Sequence, residues 1–367
     1  SGQTGRVLTT IIDCVDLDAE LAFFRDIHGF RVHLVSPADD PRRAVLHVAS
    51  GGAVELVRAE VDRPATIVIE SDGRGPENLV TPGGSVVTVR CPSGDADLRF
   101  GAAMDVPANA ATLAVVEASA GSFGLGRAGM EYRDLLPDRW GGRFIASHIR
   151  ITDGGDVDDW VHFHRIRFQM IYVSAGWVDV VYEGQGEPFR MVAGDCVLQP
   201  PEIRHRVLRS SPGVEVIEIG CPAEHDTIAD HEMDLPTAGL DADRDFSGQR
   251  FVRHVADDAV PTPWVATDMT ARDTGIGAAT NGLAGAVVVS GSSDTDGAGP
   301  ALTHHGEFAL VVGLNGDAAI DVDGRVIALA PRTSLALPAG TRWSWSTRSD
   351  DHSALVVTLP ADTVALA

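Results

Sequence analysis

Two stretches of this 367-residue chain echo one another at a spacing of about 138 residues, and a repeat of that length fixes the architecture more tightly than any single segment does. YRDLLPDRWGGRFIASHIRI, beginning at Tyr132, is answered by ARDTGIGAATNGLAGAVVVS, beginning at Ala271, so that Arg133-Asp134 matches Arg272-Asp273. GDCVLQPPEIRH is answered by PRTSLALPAGTRW, with Pro200 matching Pro338. From Tyr132 onward the chain reads as short Val/Ile-rich strands separated by Gly, Pro and Asp turns, with short helical candidates only near His225–Glu232. Two copies of one β-barrel follow, over 131–233 and 264–367, joined by a linker over 234–263 that is rich in Asp, Pro and Gly.

The N-terminal part has a different rhythm. Val7–Val15 is β-branched and apolar, Asp18–Ile27 has helical spacing, and Phe30–Val35, Ala44–Val48 and Ala53–Val57 alternate. Asp16 or Asp18 can cap the helix, and Gly29 suits the left-handed position after it. The segment VDLDAELAFFRDIHGFRV resembles the opening βαβββ module of the vicinal-oxygen-chelate (glyoxalase and extradiol dioxygenase) superfamily over residues 1–60. The resemblance puts Thr9 at the first-strand metal position and leaves only Glu55 for the last-strand ligand slot, so the module is expected to serve packing or dimerisation. Residues 61–130 are Gly-, Pro- and Ala-rich, carry no motif, and read as a β-rich extension or bridge.

Composition excludes several partner classes. The formal net charge of −23 is spread along the chain and repels phosphate, which argues against nucleic acid and anionic membranes. No apolar run approaches the length of a bilayer span, and no basic-apolar signal pattern opens the chain, so the expected location is cytoplasmic. Cys14, Cys91, Cys196 and Cys221 lie far apart and read as buried thiols rather than a zinc knuckle or disulfide framework.

The chemistry concentrates in the first barrel. His162 and His164 are two apart, so on a strand both imidazoles leave the same face and form a two-toothed chelate. His205 follows the turn Pro200-Pro201-Glu202, where a barrel can bring it against them, and three imidazoles make an open site for a first-row divalent metal. The segment is similar to the cupin superfamily, whose motifs read G-x5-H-x-H-x(3,4)-E-x6-G and G-x5-P-x-G-x2-H-x3-N. His162, His164, Gln169 and Gly176 fit the first from its histidines onward; Gly194, Pro200, Glu202, His205 and Arg209 fit the second. Gln169 replaces the carboxylate, Glu202 the glycine and Arg209 the asparagine. The resemblance implies a mainly β fold, two cupin (double-stranded β-helix, jelly-roll) barrels preceded by the α+β module, with His162, His164 and His205 as ligands. Gln169 would be a weak neutral ligand or a hydrogen-bond donor to water or substrate.

The remaining candidates are weighed by position. Trp160, Phe163, Phe168 and Tyr172 supply aromatic surface, and Arg165, Arg167, Arg204 and Arg206 lie near the ligands in sequence. Trp160, Arg167 and Tyr172 are the expected substrate contacts, although strand alternation turns many of the arginines outward. Gln169, Tyr182 and Glu218 are the expected catalytic groups, the last two as acid or base. In the second copy only His304, with His305 beside it, falls near the histidine pair, and Trp343 takes the slot of His205. A metal centre cannot form there, and His304, His305 and Glu307 are expected at a surface or interface.

Three-histidine cupins are prominent among dioxygenases, so the resemblance implies a non-haem dioxygenase that chelates a small oxygenated or aromatic acid. One divalent metal per chain is expected, Fe(II) first, with Mn, Ni, Co, Cu and Zn as alternatives because imidazole accepts them all. An O2-independent lyase or isomerase and a non-catalytic ligand-binding bicupin are the other readings, and a homodimer is the expected assembly.

Overall fold

In the computed structural model, which describes residues 9–26, 30–48, 52–70, 77–90, 106–266, 268–291 and 299–367, the chain falls into two compact units. One comprises the described residues before 105 together with 160–165 and 225–233; the other holds the rest.

In the first unit, strand Thr9–Cys14 runs parallel to Ala53–Arg58, and Arg43–Val48 lies antiparallel between Ala53–Arg58 and Phe30–Ser36. The strand order is therefore first, fourth, third, second. Helix Leu17–Asp26 starts at Asp16, whose Oδ1 accepts the Ala19 N–H at 2.9 Å and so satisfies one of the unpaired amides of the first turn. It buries Leu17 and Phe24 against Ile12, Leu46 and Leu56. Gly29 and the first two residues of the expected opening strand lie outside the described residues. The free edge of Phe30–Ser36 is taken by Asp226–Ala229 (Leu34 opposite Ile228), which pairs in turn with His162–Arg165 (His162 opposite Ala229, His164 opposite Thr227). The segment near His225–Glu232, expected as helix, is thus a strand: the helical spacing of so few residues yields to two open ladders. Strands Thr66–Glu70, Glu77–Val80 and Val86–Arg90 form a separate three-stranded sheet.

The second unit carries the repeat. In the first copy, Glu131–Asp134, Ile145–Ile151, Val214–Cys221, Phe168–Ala175 and Cys196–Leu198 form one sheet, and Gly155–Asp156, His205–Ser210, Trp177–Tyr182 and Phe189–Val192 belong to the facing one. The second copy reproduces this with Met269–Asp273, Gly285–Gly291, Ser353–Leu359, Phe308–Asn315 and Ser334–Ala336 against a sheet of Arg325–Leu329, Ala318–Val322, Trp343–Arg348, Leu302–His304 and Val364–Leu366. Registers agree in detail. Phe168 faces Cys221 as Phe308 faces Leu359, and both ladders slip, between Val173 and Ala175 and between Gly313 and Asn315. The turn glycines Gly176 (φ 72°) and Gly316 (φ 60°) are equivalent, and a Cβ at either would collide with a serine hydroxyl, Ser211 or Ser349.

The expected linker and the expected β-rich extension or bridge both contribute strands. The linker contributes Val252–His254, paired with Cys196–Leu198, and Thr262–Pro263, paired with Met269–Asp273. Ala114–Val116, from ahead of the first barrel, pairs with Ser334–Ala336 of the second. The largest core packs the two copies together through Phe168, Met170, Tyr172, Ile217 and Ile219 on one side and Phe308, Leu310, Val312 and Leu355 on the other. Tyr172, expected at the substrate, therefore belongs to the face of its strand opposite Gln169.

Candidate metal centre

His162, His164 and His205 are 1%, 6% and 5% exposed, and each offers a ring nitrogen within 4.8 Å of those of the other two. Among the described residues this is the one His/Cys/Asp/Glu group so closely gathered. Each ring is oriented from its far side. His162 Nδ1 donates to the Trp160 carbonyl at 2.8 Å, His205 Nδ1 to the Ile203 carbonyl at 3.0 Å, and His164 Nδ1 lies 3.0 Å from Thr227 Oγ1. A carbonyl can only accept, so Nδ1 of His162 and His205 holds the proton and Nε2 holds the lone pair, the tautomer a metal requires. Burial lowers His205 to about 4, against the opposing pull of the Ile203 carbonyl and of Asp159, so the ring is neutral at pH 7.

Around His205 the second unit builds a buried polar set. Tyr182 is opposite it in the ladder and stacks on its ring at 5.4 Å. Burial pushes the Tyr182 phenol up, and its ring packs among Val178, Val180, Met191 and Phe246, which suits a wall of the site better than a proton donor. Arg127 forms an ion pair with Asp159, and Asp159 Oδ2 also accepts the Val207 N–H at 2.9 Å. Burial works against the Arg127 charge, and Asp159 outweighs it. Gln169 Nε2 donates to Glu218 Oε1 at 2.6 Å, and both side chains are buried.

Each expected residue can now be placed. His162, His164 and His205 come together; Gln169, Glu218 and Tyr182 face the interior of the first barrel. Trp160 packs against the core of the N-terminal unit, its ring 5.2 Å from that of His162. Tyr172 is buried between the barrels, because residues 168, 170 and 172 share the face opposite 169. Arg167 is engaged elsewhere: its guanidinium donates to Glu307 Oε1 at 2.7 Å, and Arg143 holds the other oxygen of that carboxylate. Glu307 is thus an internal bridge, and His304, expected near the surface, is fully buried and bonded to the Leu337 carbonyl at 2.7 Å. In the N-terminal module, the Glu55 carboxylate is taken by Arg43. Sequence reasoning missed Arg127 and Asp159. Asp159 stands three residues before the histidine pair and could have been weighed with it, whereas nothing marks Arg127 in its Gly-rich stretch.

The second barrel shows what the same frame does without a site. The positions of His162, Gln169, Tyr182, His205 and Glu218 are held there by Leu302, Ala309, Val322, Trp343 and Val356, all in one apolar core. Only His304 survives, opposite Val364 as His164 is opposite Thr227.

The residues of the first barrel fit a divalent cation: three buried imidazoles, His162 and His205 in the required tautomer, each second nitrogen engaged, and no anionic ligand in the set. No family model matches the sequence, and no curated protein matches it. Solved structures do resemble it. A variant of the Bacillus subtilis oxalate decarboxylase matches with TM-score 0.51 and 10% identity over 73% of this chain and 80% of that one. The formate complex of the Lactobacillus farciminis oxalate decarboxylase matches with TM-score 0.51 and 11% identity over 73% and 90%. A salicylate 1,2-dioxygenase from Pseudaminobacter salicylatoxidans matches with TM-score 0.45 and 15% identity over 59% and 71%. At these identities the decarboxylase likenesses show the fold, which is that of the cupins.

Proposed function

We propose that this chain is a metal-dependent cupin enzyme, a non-haem iron dioxygenase acting on a small oxygenated or aromatic acid chelated at His162, His164 and His205. The observation that carries the reading is a buried set of three imidazoles with no carboxylate among them. A dication held this way keeps its full charge, which favours an anionic, two-toothed ligand. Bound Fe(II) supplies Lewis acidity and one-electron chemistry with O2. The protein's own part is to hold the imidazoles as neutral donors through Trp160, Ile203 and Thr227, and to wall the cavity with Tyr182. Arg127 and Asp159 neutralise one another, and the pair sets the polarity beside His205 without adding net charge.

The N-terminal unit, a strand, a helix and three further strands, is read as a module of the vicinal-oxygen-chelate type on the strength of the sequence resemblance and this element order. With Glu55 consumed by Arg43, we read it as structural, for packing or for a homodimer contact.

Metal analysis by plasma mass spectrometry, on protein purified without chelator, tests the site. We expect about one metal ion per chain in the wild type and none in a His162→Ala/His205→Ala variant. O2 consumption with added hydroxy and aromatic acids follows. A wild type that takes up no metal after anaerobic Fe(II) loading overturns the reading, and turnover without O2 turns it toward a lyase or isomerase.

A further inference from the structure

Gln169 and Glu218 stand on neighbouring strands of the first barrel, in a ladder that sets Gln169 opposite Gly220 and Ile171 opposite Glu218. Their side chains meet through a 2.6 Å hydrogen bond from Gln169 Nε2 to Glu218 Oε1. A carboxylate has no proton to give, so the amide must turn its NH2 group toward Glu218 and its carbonyl oxygen away. That oxygen, Gln169 Oε1, is buried on a side chain 2% exposed and has no hydrogen-bond partner. An orphaned buried acceptor destabilises the fold that holds it, and a ligand that supplies a partner relieves that cost.

The second barrel shows how these positions pack in the same frame. There the equivalents of Gln169, Glu218, His162 and His205 are Ala309, Val356, Leu302 and Trp343, and these four pack in one core. In the first barrel the corresponding positions hold members of the three-histidine group and the Gln169–Glu218 pair. Glu218 also acts on Arg127, which in turn acts on His205, so the Glu218 end of the pair lies in the electrostatic neighbourhood of that ligand.

We propose that Glu218 is a positioning residue: it locks the Gln169 amide so that Oε1, and never the NH2 group, is presented to the cation held by His162, His164 and His205. The first barrel then offers three nitrogens and one neutral oxygen, with the negative charge one hydrogen bond removed from the metal. This rests on the three-histidine reading above and adds to it the residue that decides which atom of Gln169 is available.

The test uses Co(II) alone, added to the full chain, with affinity from competition against a chelating dye and coordination from the visible d–d bands. The second barrel supplies substitutions its frame already accommodates: Gln169→Ala, as at Ala309, and Glu218→Val, as at Val356. Each single variant is expected to weaken Co(II) by about 10-fold or more and to shift the d–d bands in the same way, and the double variant to lose no more than Gln169→Ala alone. Glu218→Gln keeps an acceptor for the Gln169 amide and is expected to retain most of the wild-type affinity and spectrum; Glu218→Leu, apolar and close in size to glutamate, takes the place of Glu218→Val if that variant fails to fold. Unchanged affinity and spectrum in Glu218→Val, a loss in Glu218→Gln as large as that in Glu218→Val, or additive losses in the double variant overturn the proposal while the wild type still binds. A wild type that binds no Co(II), or binding that survives His162→Ala/His205→Ala, overturns the three-histidine reading itself.

Discussion

Trp343 stands in the second barrel where His205 stands in the first, and the exchange changes what each interior is for. Its ring, 2% exposed, meets Trp345 at 6.0 Å and packs in one core with Leu302, Ala309 and Val322. Truncation to Trp343→Ala is expected to cost about 3–5 kcal/mol, read as a lower urea midpoint, with metal content unchanged. The histidines were legible because their spacing of two and the motif around His205 fix both face and neighbourhood. The same alternation misled the reading at Tyr172 and Arg167, where nearness in sequence stood in for facing. Once Gln169 points inward, residues 168, 170 and 172 must point outward, and that parity was available from the sequence. Arg127 was not: it meets Asp159 from a stretch with no pattern of its own, and only the folded chain brings them together.

At the scale of elements, the turn before Ser334–Ala336 joins the two copies. Arg332 sits at φ 68°, where the first barrel has Gly194 at φ 101°, so a residue with a Cβ occupies a left-handed position. Its guanidinium grips Glu215 with two bonds of 2.6 and 2.8 Å, and His148 reaches the same carboxylate at 3.1 Å. Burial raises the Glu215 pKa, but the His148 and Arg332 bonds prevail and hold it at about 2. The folded value is below the ordinary 4.5, so the stabilisation is complete above about pH 4.5 and is lost as pH falls toward 2, where the folded carboxylate too is protonated. Arg332→Ala is expected to be less stable at pH 7 and to lose less than the wild type between pH 4.5 and 2, measured by denaturant titration at each pH. The repeat made paired strands and their shared turns legible. It could not show that 225–232 would be strand, because that choice is made by an open sheet edge over a hundred residues away in sequence.

For the whole molecule, a cation that binds only the folded chain raises its stability by mass action. Chelation is therefore expected to lower the midpoint of thermal unfolding, by an amount that grows with the free metal concentration used for comparison, while His162→Ala/His205→Ala shows no response. Differential scanning fluorimetry with and without EDTA reads both. The mainly β character and the repeat of one strand frame over the second half were legible in the sequence. The exchange of strands was not, because hydrogen-bonded edges leave no periodic mark in the segments they recruit.

Ala114–Val116 is made by the ribosome long before Ser334–Ala336, the strand it completes. During synthesis it has no partner, and the first barrel is finished while the second barrel's sheet still awaits both its own strand and this earlier one. A gene cut at the apparent barrel boundary would release a C-terminal fragment with a bare sheet edge, the kind of surface on which chains pair with the wrong neighbour. The two barrels are therefore separable on paper but inherited and expressed as one.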